Sequence, residues 1–369
     1  MRTRFRMSRW VWGLVLALLV LPLAGASAQG SPQLSVVAEF SLGDNCPITG
    51  VLNSEGTAVW TLMENCVSGA DTLSLQAFSF ADGGLVGQTT EPLPTDISPY
   101  DVLGFDRPLS RSADGAINVD LVDTYTTMSS DSFTLNQETG AVTPVIGSPR
   151  ILTADQIMNA IPDFTGYTDY LTYSDDRALA LTQDDTSLYV FDVASAQLIM
   201  QLAPPGGVEY AGTWISADNQ HLYVSQMVDP GNYDNPAQTF YIFDIPSGEL
   251  VSATAVPHRI YSVSPDERFL LVSTPIMGGD NESLALFEPA TGAISETLPT
   301  RSTSVTLNIC KNNGRTTDYG WTSDDPTLIE ILWLPDSSGF VTLSSEEFSS
   351  GPNPCFTNDS RMRVYAVTG

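Results

Sequence analysis

The 369 residues carry 43 acidic against 15 basic side chains, a formal charge of −28, so phosphate backbones and anionic lipid surfaces are repelled and nucleic acid is excluded as a partner. A 42% apolar content at a mean hydropathy of +0.01 supplies a sizeable core, which excludes a disordered chain.

The chain opens with Arg2, Arg4, Arg6 and Arg9, an apolar run over residues 11–21, and Ala26-Ser27-Ala28. This is the pattern of a cleaved secretory leader over residues 1–28, leaving 29–369 as one domain. The apolar run is shorter than the ~20 residues a spanning helix needs, so no membrane insertion is expected after leader removal. No cysteine follows Ala28 and no twin-arginine pair precedes it, which points to general secretion into the periplasm, to the cell surface or beyond. Loss of the leader arginines would make the remainder more acidic still. In that compartment the four cysteines are expected as two disulfides, Cys46 with Cys66 and Cys310 with Cys355. Cys46 and Cys66 flank the turn at residues 53–56 at nearly equal distances, so hairpin pairing brings them together.

A turn followed by an apolar strand then recurs along the chain. The copies are Asn53-Ser54-Glu55-Gly56, Ser112-Ala113-Asp114-Gly115, Ser174-Asp175-Asp176-Arg177, Ser216-Ala217-Asp218-Asn219, Ser264-Pro265-Asp266-Glu267 and Pro335-Asp336-Ser337-Ser338-Gly339. A second turn recurs with an offset of four: Asn136 to Gly140, Asp192 to Ala196, Asp244 to Gly248 and Glu288 to Gly292, with a looser copy at Phe80-Ala81-Asp82-Gly83-Gly84. Between the two turns the runs are β-branched and aromatic, as half-buried strands require. The period matches the ~40 to 50 residues of a four-stranded propeller blade. The fold class is therefore all-β, a single β-propeller of about six four-stranded blades. Two longer intervals read as insertions: residues 144–170, where Thr153-Ala154-Asp155-Gln156 is a capping box opening a short helix stopped by Pro162, and residues 300–326, polar with Cys310, Lys311 and Trp321. A seventh, degraded blade inside one of them stays open at this point. The last copy ends the chain at Gly369 without an outermost strand, while residues 34–42 form a strand without a blade. That N-terminal strand is expected to close the last blade by pairing near residues 363–367.

The Ser-Pro-Asp-type turns and aromatic-Asp strand ends resemble the WD40-like and YVTN-type propellers, including six-bladed proteins similar to the periplasmic translocation protein TolB. The resemblance spans nearly all of residues 29–369 and implies architecture. The Trp-Asp pair of WD repeats is replaced here by Phe191-Asp192 and Phe243-Asp244, and no Gly-x-Thr-Trp of the sialidase Asp-box follows Asp218 or Asp266. No catalytic residues carry over.

Strand alternation puts all the short repeated turns on one face and the long connections on the other, and length spent on one face marks a binding surface. Residues 229–238, 275–283, 344–360 and both insertions belong to this loop face. The candidate binding residues are Asp229, Asn232, Tyr233, Asp234, Asp280, Trp321 and Phe348, whose acids and rings suit a cationic or sugar-bearing surface. The oxygens of residues 229–235 and 278–282 are compatible with calcium, although the EF-hand spacing is absent; no other cofactor is indicated and the metal question is open. His221 and His258 are the only histidines, too few for a three-histidine metal site, and a nucleophilic triad would need one of them on the loop face, which His258 could reach. Trp60, Trp214 and Trp333 fall at core-like positions. The function read from these features is a non-enzymatic, extracytoplasmic binding propeller that recognises a protein or a cell-envelope glycan. The alternative is a carbohydrate-active enzyme using loop-face carboxylates such as Glu346 and Glu347.

Overall fold

The computed structural model describes residues 31–43, 46–64, 72–89, 91–95, 108–112, 114–122, 130–145, 152–166, 171–203, 205, 210–229, 237–274, 283–299, 305–307, 311–312, 315–316, 319–321, 323–349 and 356–369. Six antiparallel sheets form a ring. Blade 1 runs from the inner strand Cys46–Leu52 through Ala58–Glu64 and Leu73–Ser79 to the outer Leu85–Gln88. Blade 2 is Leu109–Arg111, Ile117–Val122, Ser130–Leu135 and Val142–Pro144, and blade 3 is Thr172–Tyr173, Leu179–Gln183, Leu188–Asp192 and Gln197–Leu202. Blade 4 is Tyr210–Ile215, His221–Met227, Gln238–Asp244 and Leu250–Val256. Blade 5 is Arg259–Val263, Leu270–Thr274, Ser283–Glu288 and Ala293–Ile294, with Leu298–Pro299 also on its third strand. Blade 6 is Ser323–Trp333, Gly339–Ser349 and Phe356–Thr368, closed on the outside by the N-terminal strand Gln33–Gly43.

That closure is the one expected, with Leu34 opposite Val367 and Glu39 opposite Arg363. Its chemistry is both apolar and ionic. Leu34 and Leu42 are buried, and Glu39 takes Arg361 Nη1 at 2.8 Å and Arg363 Nε at 3.1 Å. Gly83, at φ 67°, sits in the outer turn of blade 1 directly against the Phe40 ring, where any side chain would collide. The closing strand is thus held by both neighbours.

Neither insertion adds a blade. Residues 152–164 carry one short helix, α1 (Ala154–Ala160), capped by Thr153 and Gln156 in reciprocal hydrogen bonds as the sequence indicates. Within residues 300–322 the described strands pair locally, Val305–Leu307 with Tyr319–Trp321 and Lys311–Asn312 with Arg315–Thr316. One expectation is corrected: residues 344–360 are not one long loop. The last blade's strands run on, so that Glu346 and Glu347 stand in Gly339–Ser349, opposite Asp359 and Asn358 of Phe356–Thr368. Their register with the third strand continues unbroken, which gives this stretch ladder partners that a loop would lack.

Apolar clusters fill the gaps between blades. Trp60, Leu62 and Leu75 of blade 1 meet Ile117, Val119 and Leu121 of blade 2. Equivalent clusters join blades 3 and 4, 4 and 5, 5 and 6, and 6 and 1. In the remaining cluster the blade 3 face, including Tyr173, Tyr189 and Phe191, packs against Leu152, Ile157 and Phe164 of the insertion.

Glu39→Ala should lower stability by about 1–3 kcal/mol, the loss of a carboxylate shared by two buried guanidinium groups, moderated because Glu39 is about one-third exposed. Removal of residues 33–43 should lower the melting temperature by more than about 10 °C. Calorimetry on both variants checks this, and an unchanged transition after the deletion would contradict closure by this strand.

Candidate functional site

The turn face is built from the recurring Ser-x-Asp triplets, whose chemistry is now explicit. The serine hydroxyl donates to the aspartate two residues on, at 2.8 Å for Ser174–Asp176, 2.6 Å for Ser216–Asp218 and 2.7 Å for Ser264–Asp266. The same serine oxygen accepts the amide of Leu179, His221 or Phe269 at the start of the next strand. The aspartate accepts the amide of Ala178, Gln220 or Arg268. These acids are consumed in holding their own turns.

Each first turn also forces one residue into the left-handed region: Gly56 (φ 65°), Gly115 (85°), Arg177 (57°), Asn219 (60°), Glu267 (61°) and Ser337 (58°). In every case this residue meets the preceding blade. Gly56 lies against Pro335 and Gly115 against Ser54. Arg177 Nη1 is 3.1 Å from Asp120 Oδ2, both side chains almost wholly buried. Asn219 Nδ2 donates to Asp176 Oδ2 at 2.9 Å, and Ser337 Oγ accepts the Asp266 amide at 3.1 Å. Glu267 Oε1 accepts the Tyr223 hydroxyl at 2.7 Å and lies 2.5 Å from His221 Nδ1.

Several carboxyls here and on the outer turns are held below the ordinary range. The Ser216 hydroxyl does this for Asp218, Ser195 for Asp192, Ser247 for Asp244 and Ser338 for Asp336. At Asp184 burial pushes the other way and is outweighed by donors from Tyr189, Thr186 and Ser187. Burial, and then the bond to Glu267, pushes the Tyr223 phenol well above its usual value. The turn acids of blades 3 to 5 therefore serve as fixed hydrogen-bond acceptors.

On the opposite face the connections differ from blade to blade. Residues 89–108, 145–171 and 300–322 join successive blades, whereas blades 4 and 5 are joined by Pro257 and His258 alone. Burial pushes the His258 imidazole toward its neutral form. Asp229 is exposed at the end of the second strand of blade 4. Asn232, Tyr233, Asp234 and Asp280 lie outside the described residues, as do Cys66, Cys310 and Cys355. Backbone register sets Cys46 opposite Glu64, two residues short of Cys66. Trp321 pairs with Val305 in the insertion hairpin, and Phe348 lies in a strand opposite Ser323 and Thr357. Of the seven candidate binding residues, Asp229, Trp321 and Phe348 fall on described backbone. Among the described residues no group of three His, Cys, Asp or Glu side chains has metal-binding geometry, and no helix is long and apolar enough to cross a membrane. Trp60 is buried as expected, and Trp333 donates its indole N–H to Ser262 Oγ at 2.5 Å across the blade 5–6 gap.

Sequence reasoning missed the Asp120–Arg177 pair and the His221–Glu267–Tyr223 group. A signal was present: Ser110, Asn118, Asp120, Ser132 and Thr134 fall on one parity of three consecutive strands, making one face of blade 2 polar.

Two outcomes follow for the turns. Ala196→Gly should stabilise by about 0.5–1 kcal/mol by relieving a left-handed alanine, whereas Arg177→Gly should destabilise by about 2–4 kcal/mol because Asp120 stays buried without its guanidinium. Denaturant titrations measure both. Because Asp184, Asp192, Asp218, Asp244 and Asp336 have depressed folded-state values, their stabilisation is complete above the unfolded carboxylate range and is lost as pH falls through the folded values. The melting temperature should change little from pH 7 to about 5 and fall below about pH 4, less steeply in Ser195→Ala and Ser247→Ala variants.

No protein-family model matches the chain, and no curated protein matches it. Among solved structures it is similar to hydrazine synthase of Kuenenia stuttgartiensis, with 11% identity and a TM-score of 0.38 over 82% of this chain and 76% of that one. Nothing of that enzyme's chemistry transfers at this distance, and the six blades rest on the sheet order itself.

Proposed function

We propose that this propeller is an extracytoplasmic binding protein whose loop face recognises a cationic protein or a cell-envelope glycan, without catalysing a reaction. The observation that carries this reading is the division of labour between the two faces. On one face the turn acids satisfy their own backbone or the neighbouring blade. On the other face the connections range from two residues between blades 4 and 5 to the helix-bearing segment between blades 2 and 3, and variable loops on a rigid frame are where discrimination between partners resides. A formal charge of −28 favours a basic partner and speeds its encounter at low salt. The export reading rests on the arginine-rich start, the apolar run and Ala26-Ser27-Ala28.

The test compares two double variants, Tyr233→Ala with Asp234→Ala, and Asp218→Ala with Asp266→Ala, for co-sedimentation with purified envelope and for binding a basic protein such as cytochrome c. Circular dichroism controls for folding. The loop variant should lose at least about tenfold in affinity, a cost of about 1.4 kcal/mol, and the turn variant should bind as the parent does while melting earlier. Binding lost only in the Asp218 and Asp266 variant would overturn the assignment of the face.

A further inference from the structure

The outermost strands of the six blades are unequal. Those of blades 1, 3, 4 and 6 each carry a β-bulge whose extra residue is an exposed aliphatic: Val86, Ile199, Val251 and Val37. A bulge interrupts the ladder and bends the strand, which discourages a further strand from pairing. Among the described residues, unbroken pairing beyond the bulge covers two residues in blade 1 and three in blade 3, and blade 6 has runs of four, one of them holding Glu39. Blade 2 offers three residues ending on Pro144, and blade 5 the separate short stretches Ala293–Ile294 and Leu298–Pro299. Blade 4 is the exception. After Val251 its outer strand pairs without a break from Ser252 to Val256, opposite Ile242 to Gln238, and Leu250–Val256 holds neither a charged side chain nor a proline.

Hydrogen bonds at the hairpin fix which way this edge points. The Asp244 amide donates to the Glu249 carbonyl at 2.9 Å, and the Ile245 amide donates to the Gln220 carbonyl at 2.8 Å on the other side. Backbone groups alternate in direction along an antiparallel strand, so Ile242, Phe240 and Gln238 turn theirs toward Ser252, Thr254 and Val256. Ala253 and Ala255 therefore turn their N–H and C=O groups outward, on a strand with a sheet neighbour on one side only. Their side chains are small and exposed, and Ala253 stands opposite the half-buried Tyr241, which leaves room for the side chains of an added strand. Leu250 and Val251, 49% and 56% exposed, add apolar surface at the turn end.

We propose that the outer strand of blade 4 takes an extended segment of a basic partner protein by strand addition, at a site separate from the loop face. Ala253 and Ala255 together present two donors and two acceptors at strand spacing, a pattern that extended backbone matches in register. Alternating side chains on the added strand then set small apolar groups against Leu250, Ala253 and Ala255. Charge selects what flanks that segment. The edge itself is neutral, exposed Glu249 stands at its turn end, and the chain as a whole carries −28. Lysine or arginine beside the paired stretch is therefore attracted, whereas a second copy of this chain is repelled.

The probe is a blocked peptide of alternating valine and threonine, as long as Leu250–Val256 and followed by two lysines, titrated by fluorescence anisotropy into the full chain. Saturable binding is expected, weakened at least about tenfold by Ala253→Pro, which removes an outward N–H that the blade 4 ladder does not use. Ala253→Lys, which keeps the backbone and sets a like charge beside the lysines of the peptide, should weaken it as well. Circular dichroism checks the folding of both variants. The double variant Tyr233→Ala with Asp234→Ala should bind the peptide as the parent does, so failure here and failure of the loop-face reading are told apart. Absence of saturable binding would overturn the proposal. So would equal binding of the same peptide carrying alternate backbone N-methyl groups, since charge alone would then account for it. Self-association of the parent in sedimentation velocity, abolished by Ala253→Pro and unaccompanied by peptide binding, would overturn the choice of partner.

Discussion

The ring depends on one residue per blade, the left-handed residue in the turn between first and second strands. Its backbone conformation costs an L-residue roughly 1–2 kcal/mol, so the position suits glycine, and blades 1 and 2 use Gly56 and Gly115. Blades 3 to 6 accept the strain with Arg177, Asn219, Glu267 and Ser337, and each of these side chains makes a polar contact with the preceding blade. The glycines allow close approach and the four side chains supply bonds. Both solutions direct the same point of the turn at the same neighbour, so one local geometry, repeated, sets the placement of each blade on the next.

This explains which parts of the architecture were legible in the sequence. The Ser-x-Asp turns specify hairpins through bonds made within a few residues, and the offset of four from Asp244 to Gly248 or Glu288 to Gly292 marks a left-handed residue that closes the outer hairpin. Local chemistry of this kind is visible in any single stretch. The closing strand was legible for a different reason: an orphan strand at one end and a missing one at the other leave a single economical pairing. What could not be read was any partner chosen across the ring. Arg177 looks like one more turn residue until Asp120 is brought beside it, and Glu267 until His221 and Tyr223 are. The strands of blade 6 were misjudged because Ser344, Ser345, Glu346 and Glu347 lack the apolar alternation of a half-buried strand. Their ladder is supplied by the strands on both sides. The candidate binding residues on the loop face were chosen by type and face, and only Asp229, Trp321 and Phe348 among them fall on described backbone.

The polar gap between blades 2 and 3 shows what the apolar ones contribute. Burying a leucine or valine between blades is worth about 1.5–3 kcal/mol, and five junctions gain this several times over. At the sixth, blade 2 presents Asn118 and Asp120 instead, and the ion pair to Arg177 must repay desolvation of two charges before it adds anything. A fold selected for stability alone would have placed aliphatic residues there, as it did on the other face of the same strand with Ile117, Val119 and Leu121. Within one six-residue strand the side chains alternate, apolar toward blade 1 and polar toward blade 3, where Asp120 meets Arg177.

The closing strand and the polar gap also divide the folding problem. Blades 1 to 5 form from hairpins adjacent in sequence, whereas blade 6 waits for residues 33–43 to meet residues 360–368 across nearly the whole chain. Until that pairing forms, the Phe356–Thr368 strand presents a regular edge, the kind that recruits strands from other molecules. Once formed, the new outer edge belongs to Gln33–Gly43, whose ladder is broken by shifts at Val36 to Ala38 and at Ser41 to Gly43. Val37 is left 64% exposed at the first break. The strand that completes the ring is therefore also the one least suited to continue it, so closure and protection of the last edge come from the same eleven residues.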